Sequence, residues 1–210
     1  VANNVTISGI TGNGQFGDIG GAVGCSSGNV DNVTVKNCTV SSDKEAGGIA
    51  GVSGGKIENC TVENTNISAN AAFSTYGFNG GDVGGIVGMT SQLVDNCTLL
   101  NSNVTSNKEA GGIAGVTNGD ITNCSVDGSS ITVTIPDGAN RGNGGDAGGI
   151  VGASAQKVED CTVTNSTITS NKLAGGIVGA GRMGYTTLNN LTVENNTVEY
   201  GNEEEGTGKY

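Results

Sequence analysis

The chain has 210 residues, 39 of them glycine and one proline, no histidine or tryptophan, and a net charge of −11 from 20 acids against nine bases. Without histidine there is no Ser-His-Asp triad and no His-liganded zinc, and the acidic balance repels nucleic-acid phosphate and anionic lipid. No apolar run of about eighteen residues and no basic-then-apolar leader occurs, so the expectation is no membrane insertion and either a mature product or an excised piece.

Val5-Thr6-Ile7 predicts a first strand, belonging to a partial coil. From Gly20 onward the chain repeats itself. Two glycines, two apolar residues and a third glycine begin at Gly20, Gly47, Gly84, Gly111, Gly148 and Gly175, in steps of 27, 37, 27, 37 and 27 residues. Thirteen residues behind each leading glycine stand Val33, Cys60, Cys97, Cys124 and Cys161, with Leu191 displaced by three in the last unit. Two further apolar columns follow, Val35-Val62-Leu99-Val126-Val163-Val193 and Val40-Ile67-Val104-Ile131-Ile168-Val198. Alternation such as Cys60-Thr61-Val62-Glu63 is the period of a half-buried strand, and no segment has a helix period. Units this small cannot bury their own faces, so they stack with equivalent residues superposed. The prediction is one all-β domain over residues 1–210, a parallel β-solenoid of about six coils. At about 4.8 Å per coil the rod is on the order of 30 Å long. Asparagines before the apolar pairs, at 32, 59, 96, 123 and 190 with Asp160, and a second series at 37, 64, 101, 165 and 195, predict turns with stacked amides.

These two landmarks, a Gly-Gly-apolar-apolar-Gly element and a segment such as Ile57-Glu58-Asn59-Cys60-Thr61-Val62, resemble the GLUG motif. The motif is found in repeat arrays of bacterial secreted and surface proteins, some of them peptidases and some adhesin-like. The resemblance implies a repeat scaffold and a secreted or cell-surface address; the HExxH of a GLUG-containing peptidase is missing.

Cys60, Cys97, Cys124 and Cys161 exchange with Val33 and Leu191 in one column, which marks them as a ladder of small core residues rather than disulfide partners. By the same column logic Cys25, aligned with Val52, Met89, Val116, Ala153 and Ala180, is expected inside. Cys38, aligned with Thr65, Ser102, Ser129, Ser166 and Asn196, is expected at an exposed turn. The outward rank Thr6, Thr34, Thr61, Thr98, Ser125, Thr162 and Thr192 has the regularity that ice-binding solenoids exploit, but the next column, Lys36, Glu63, Leu100, Asp127, Thr164 and Glu194, is irregular.

Alternate units are longer by ten residues, all between Ile67 and Gly84 and between Ile131 and Gly148. The loops at 68–83 and 132–147 are therefore expected on one flank, about 10 Å apart, and are the expected contact region of the rod by their aromatic and charged content. The candidate binding residues are Phe73, Tyr76, Phe78 and Asp82 in the first and Asp137, Arg141 and Asp146 in the second. Aromatic rings there can stack on sugars or anchor a protein, or cover the flank of the rod. Asp18, Asp82 and Asp146 stand two residues before the glycine pair in one set of coils and Lys44, Lys108 and Lys172 three before it in the other. An Asp-Lys edge ladder explains this; a calcium repeat would need a nine-residue period that is absent. No metal and no cofactor is expected.

In the glycine segments apolar residues fall on both parities: Ile49, Ile86, Ile113, Ile150 and Ile177 on one, Ala50, Val87, Ala114, Val151 and Val178 on the other. Either a bend turns both inward or the isoleucines form an apolar stripe available for association. No cap covers either end of the stack, which suggests a segment of a longer protein or end-to-end self-association. The functional expectation is a non-catalytic extracellular structural or adhesive element meeting a surface glycan or protein, with a glycan- or ice-binding module as alternative and a polysaccharide-active enzyme behind it.

Overall fold

The computed structural model describes residues 5–8, 11–14, 17–71, 73–74, 77–78, 80–136, 144–153, 156–181 and 186–200, with side chains from residue 17 onward apart from those of 73–78. Each coil consists of five short strands, in the second coil Ala46–Gly47, Ala50–Ser53, Ile57–Glu58, Thr61–Glu63 and Asn66–Ala69. Every strand pairs in parallel with its equivalents above and below, producing five sheets of six, six, six, seven and seven strands, called here the first to fifth in that order. The register superposes the sequence columns: Gly47 on Gly20 and Gly84, Val62 on Val35 and Leu99, and Ile67 on Val40 and Val104. The Val5–Ser8 strand starts the fourth sheet against Val33–Lys36, as a partial coil should.

The glycines are required by close approach of backbones. A Cβ on Gly47 would lie 1.9 Å from the Ala50 carbonyl oxygen, and one on Gly48 would lie 2.2 Å from that of Gly85 in the next coil. The third glycine, Gly51, lets the second sheet back onto the first, where its Cβ would meet Ile19 N at 2.7 Å. The tight bend between Gly47 and Ala50 resolves the parity question. Ile49, Ile86, Ile113 and Ile150 are fully buried, and so are Ala50, Val87, Ala114 and Val151. The isoleucine stripe considered as an association surface is thus not exposed; it is core.

Two corners flank the fourth sheet. The eleven described non-glycine residues with positive φ all lie there: Asn32, Asn59, Asn96, Asn123, Asp160 and Asn190 before it, and Asn37, Asn64, Asn101, Asn165 and Asn195 behind it. Gly128, also at positive φ, fills the remaining place. Left-handed backbone is what Asn, Asp and Gly tolerate, so conformation selects these columns first. Stacked amides add to it at some positions, as where Asn96 Nδ2 donates to Asn59 Oδ1 at 2.7 Å.

Behind the second corner runs a buried polar ladder. The hydroxyls of Thr65, Ser102, Ser129 and Ser166 each donate to the carbonyl two residues earlier. Each also accepts the backbone N–H of its equivalent in the preceding coil, at 3.0 to 3.3 Å. Cys38 occupies this column, with its thiol on the Lys36 carbonyl at 3.1 Å, and is buried. Cys25 lies on the outward side of the second sheet and is exposed, like Met89 in its column. The two sequence expectations are therefore reversed: the turn column points inward to satisfy backbone groups, and the column that looked apolar faces outward at the far end of a four-residue strand.

Cys60, Cys97, Cys124 and Cys161 are buried and unbridged, in the core column as expected. Hydrogen bonding to the next thiol along the column, then burial, pushes the thiols of Cys60, Cys97 and Cys124 up, whereas Cys161, which accepts from Cys124, is pushed down. A thiol-specific reagent should therefore label one cysteine of the native protein, Cys25, and all six after denaturation. Rapid native labelling of two or more would contradict this core.

Candidate functional site

The long coils carry their extra residues between a strand of the fifth sheet and the next strand of the first sheet. In the second coil the strand Asn66–Ala69 ends, the chain leaves through Asn70 and Ala71, and it returns through Gly80 and Gly81 at φ 108° and 97°. Within the excursion Phe73–Ser74 pairs antiparallel with Gly77–Phe78, so that Phe73 faces Phe78 across a small hairpin. In the fourth coil the chain leaves after Ile135 and returns through Gly144 and Gly145.

Both feet of each loop are held by the short coil that follows, through a Ser-Asn-Lys triplet. Asn107 Oδ1 accepts the Ala71 N–H at 3.1 Å, while Asn107 Nδ2 donates to the Ala71 carbonyl at 2.7 Å and to Asn70 Oδ1 at 2.9 Å. Ser106 Oγ donates to the Gly81 carbonyl, and the Lys108 ammonium contacts Asp82 at 3.0 Å. The second loop is held in the same way. Asn171 clasps the N–H and carbonyl of Ile135, both at 3.0 Å, Ser170 holds the Gly145 carbonyl, and Lys172 donates to the Gly144 carbonyl at 2.8 Å. The two loop bases are thus presented in equivalent fashion, two coils or about 10 Å apart.

Beside the loop feet, in the first sheet, runs a column of carboxyl groups. Asp82 pairs in register with Glu109, Glu109 with Asp146, and Asp146 with Leu173. One residue before the paired Ile19, Ala46 and Val83, the same column holds Asp18, Glu45 and Asp82. Asp82, Glu109 and Asp146 are buried. Lys108 reaches both oxygens of Asp82, at 3.0 and 3.1 Å, Lys172 lies 3.9 Å from Asp146, and Glu109 Oε2 accepts the Asp146 N–H at 3.2 Å. Burial, then a hydrogen bond and repulsion from Asp18, raise the Glu45 carboxyl from 4.5 to about 7.

A folded-state pKa above the unfolded value stabilises the fold at low pH. For Glu45 the contribution is complete below pH 4.5 and disappears as pH rises to about 7. The denaturation midpoint should therefore fall between pH 4.5 and 7, and Glu45→Gln should flatten that part of the profile. A midpoint for the wild type that rises through this window as steeply as for Glu45→Gln would refute the assignment.

Of the candidate residues, Asp82 and Asp146 are buried in the carboxyl column beside the loop feet. Phe73 and Phe78 are brought together by the hairpin backbone; Tyr76, Asp137 and Arg141 fall outside the described residues. Sequence reasoning missed Glu45 and Glu109. The signal was present, since the position two before each glycine pair is acidic in five consecutive coils, but pairing Asp in one set of coils with Lys in the other concealed it. Among the described residues no group of three or more His, Cys, Asp or Glu is arranged to hold a metal ion.

The family description "The GLUG motif" matches residues 44–68 and 106–134, which lie in the second and fourth coils and include the corner asparagines and the thiol column. No curated protein and no solved structure matches the chain. The matched segments occupy equivalent positions two coils apart, and the paired register carries their pattern through the intervening and flanking coils: the chain bears GLUG-motif repeats in a parallel β-solenoid.

Proposed function

We propose that this protein is a non-catalytic extracellular element, structural or adhesive, secreted or held at a bacterial cell surface, whose contact region is formed by the loops at 68–83 and 132–147. The observation that carries the reading is the clasp of Ser106-Asn107-Lys108 and Ser170-Asn171-Lys172 on the loop feet. A rod that invests buried side chains in fixing two variable excursions is suited to presenting them to a partner, here a surface glycan or protein. End-to-end stacking of copies into a filament is the structural form of the same reading. In a glycan array and a matrix-protein panel, the full chain should bind a defined subset of ligands, and Phe73→Ala/Phe78→Ala should lose that binding with an unchanged far-ultraviolet spectrum. Binding undiminished in this variant and in one with residues 137–143 replaced by glycine and serine would overturn the reading.

A second reading is supported by the fifth sheet. Its outward positions across five coils are Thr39 and Ser41, Asn66 and Ser68, Asn103 and Thr105, Ser130 and Thr132, and Thr167 and Thr169, two superposed columns without a charge. Such a flat hydroxyl and amide array suits an ordered neutral surface such as ice. Thermal hysteresis abolished by Thr105→Lys/Thr132→Lys would support it, and none in the wild type would dismiss it.

A further inference from the structure

We propose that Lys108 and Asp82 form an intramolecular amide bond, a covalent staple between the foot of the first loop and the coil that follows. Three observations place the reactants. The Lys108 Nζ atom stands 3.0 Å from one Asp82 carboxyl oxygen and 3.1 Å from the other, so the amine faces the carboxyl group as a whole. The pair is withdrawn from water, with side-chain exposures of 18% for Lys108 and 4% for Asp82. Asp82 also lies in the carboxyl column between Glu45 and Glu109, its neighbours in the first sheet, so that a second acid adjoins it on either side.

The chemistry needs no oxidant, metal or activated donor. Transfer of the ammonium proton to the carboxylate converts the ion pair into a neutral amine and a carboxylic acid. The lone pair on Lys108 Nζ then attacks Asp82 Cγ, and a neighbouring carboxyl group takes the second amine proton and delivers it to the departing hydroxyl. One N–C bond forms, one C–O bond breaks and one water leaves, with no change in oxidation state. Holding amine and acid in contact supplies the effective concentration that separate side chains in water lack. Glu45, raised to about 7 by burial and by Asp18, exchanges its proton near neutrality, as a proton carrier in such a step must.

The repeat contains its own comparison. Sixty-four residues on, Lys172 is 3.9 Å from Asp146 and is engaged by the Gly144 carbonyl at 2.8 Å, and the next place in the column is Leu173. One bond is therefore assigned, at Lys108, and none at Lys172.

The test is the intact mass of the purified full chain, followed by peptide mapping. The expected mass is that of the sequence less one water, with a branched peptide joining Lys108 to Asp82. Lys108→Arg, which keeps the positive charge, should have its full sequence mass, and Glu45→Gln/Glu109→Gln should form the bond at least tenfold more slowly. Full sequence mass in the wild type, both fresh and after days at neutral pH, would leave an ordinary ion pair and overturn the proposal. So would a lost water that maps to an Asp-Gly succinimide at Asp137, or one that persists in Lys108→Arg.

Discussion

Gly112→Ala should prevent the central coils from closing, at a cost of about 3 kcal/mol or more. The added methyl group would lie 2.2 Å from the Gly149 carbonyl oxygen in the next coil and 2.7 Å from Val126 Cγ2 across the core. The first of these atoms is backbone held in the inter-coil ladder, so relief requires the coils to separate, and in a stack each coil is stabilised mainly by its neighbours. The effect should depend on the level in the rod. At Gly176 the nearest atom among the described residues is Val193 Cγ1 at 3.1 Å, a side-chain atom and not a carbonyl, and Gly176→Ala should be milder. Gly54, whose Cβ would come no nearer than 3.5 Å to any atom, should accept alanine with little change. Chemical denaturation followed by circular dichroism checks the series. Equal stability for Gly112→Ala and Gly54→Ala would show that the glycine pairs do not touch across coils.

Lys108→Met should cost about 3–5 kcal/mol, the magnitude of a buried carboxylate left without its partner, whether that partner holds it as an ion or through the proposed amide. Without Lys108 the Asp82 carboxylate, 4% exposed, stands alone in a column it shares with Glu45 and Glu109. Lys157 is the control. Its 2.8 Å contact with Glu159 is at the surface, where an ion pair contributes little, and Lys157→Met should leave the denaturation midpoint almost unmoved. Denaturation at pH 7 compares the two variants; identical shifts would mean that burial does not distinguish the pairs.

The architecture was legible because the repeat aligns itself. Once Gly47, Cys60, Val62 and Ile67 recur at fixed offsets, stacking follows without reference to anything outside the chain. Features set by a single backbone angle were not legible. Whether Cys25 or Cys38 faces inward depends on how far the chain turns at the glycine bend and at Asn37, and apolar neighbours in a column do not report that. The isoleucine question had the same origin, since a bend between Gly47 and Ala50 buries residues of both parities. The corner asparagines were recognised as a pattern, while their reason, a left-handed φ in both series, became visible only with Gly128 in the place of an asparagine. The clasp of Asn107 and Asn171 on the loop feet has a simple signature, Ser-Asn-Lys one coil after each insertion. Its meaning requires knowing that Ala71 and Ile135 lie beside those asparagines.

The central claim, that equivalent residues superpose coil by coil, is tested most directly by distances between spin labels on the outward threonines of the fourth sheet, in a Cys25→Ser background. Pairs at Thr34 and Thr162, four coils apart, and at Thr34 and Thr192, five coils apart, should give distances centred at about 19 and 24 Å, rising by one strand spacing per coil. Distances that fail to increase with the number of intervening coils would contradict the stacked register on which the fold, the clasp and the carboxyl column all depend.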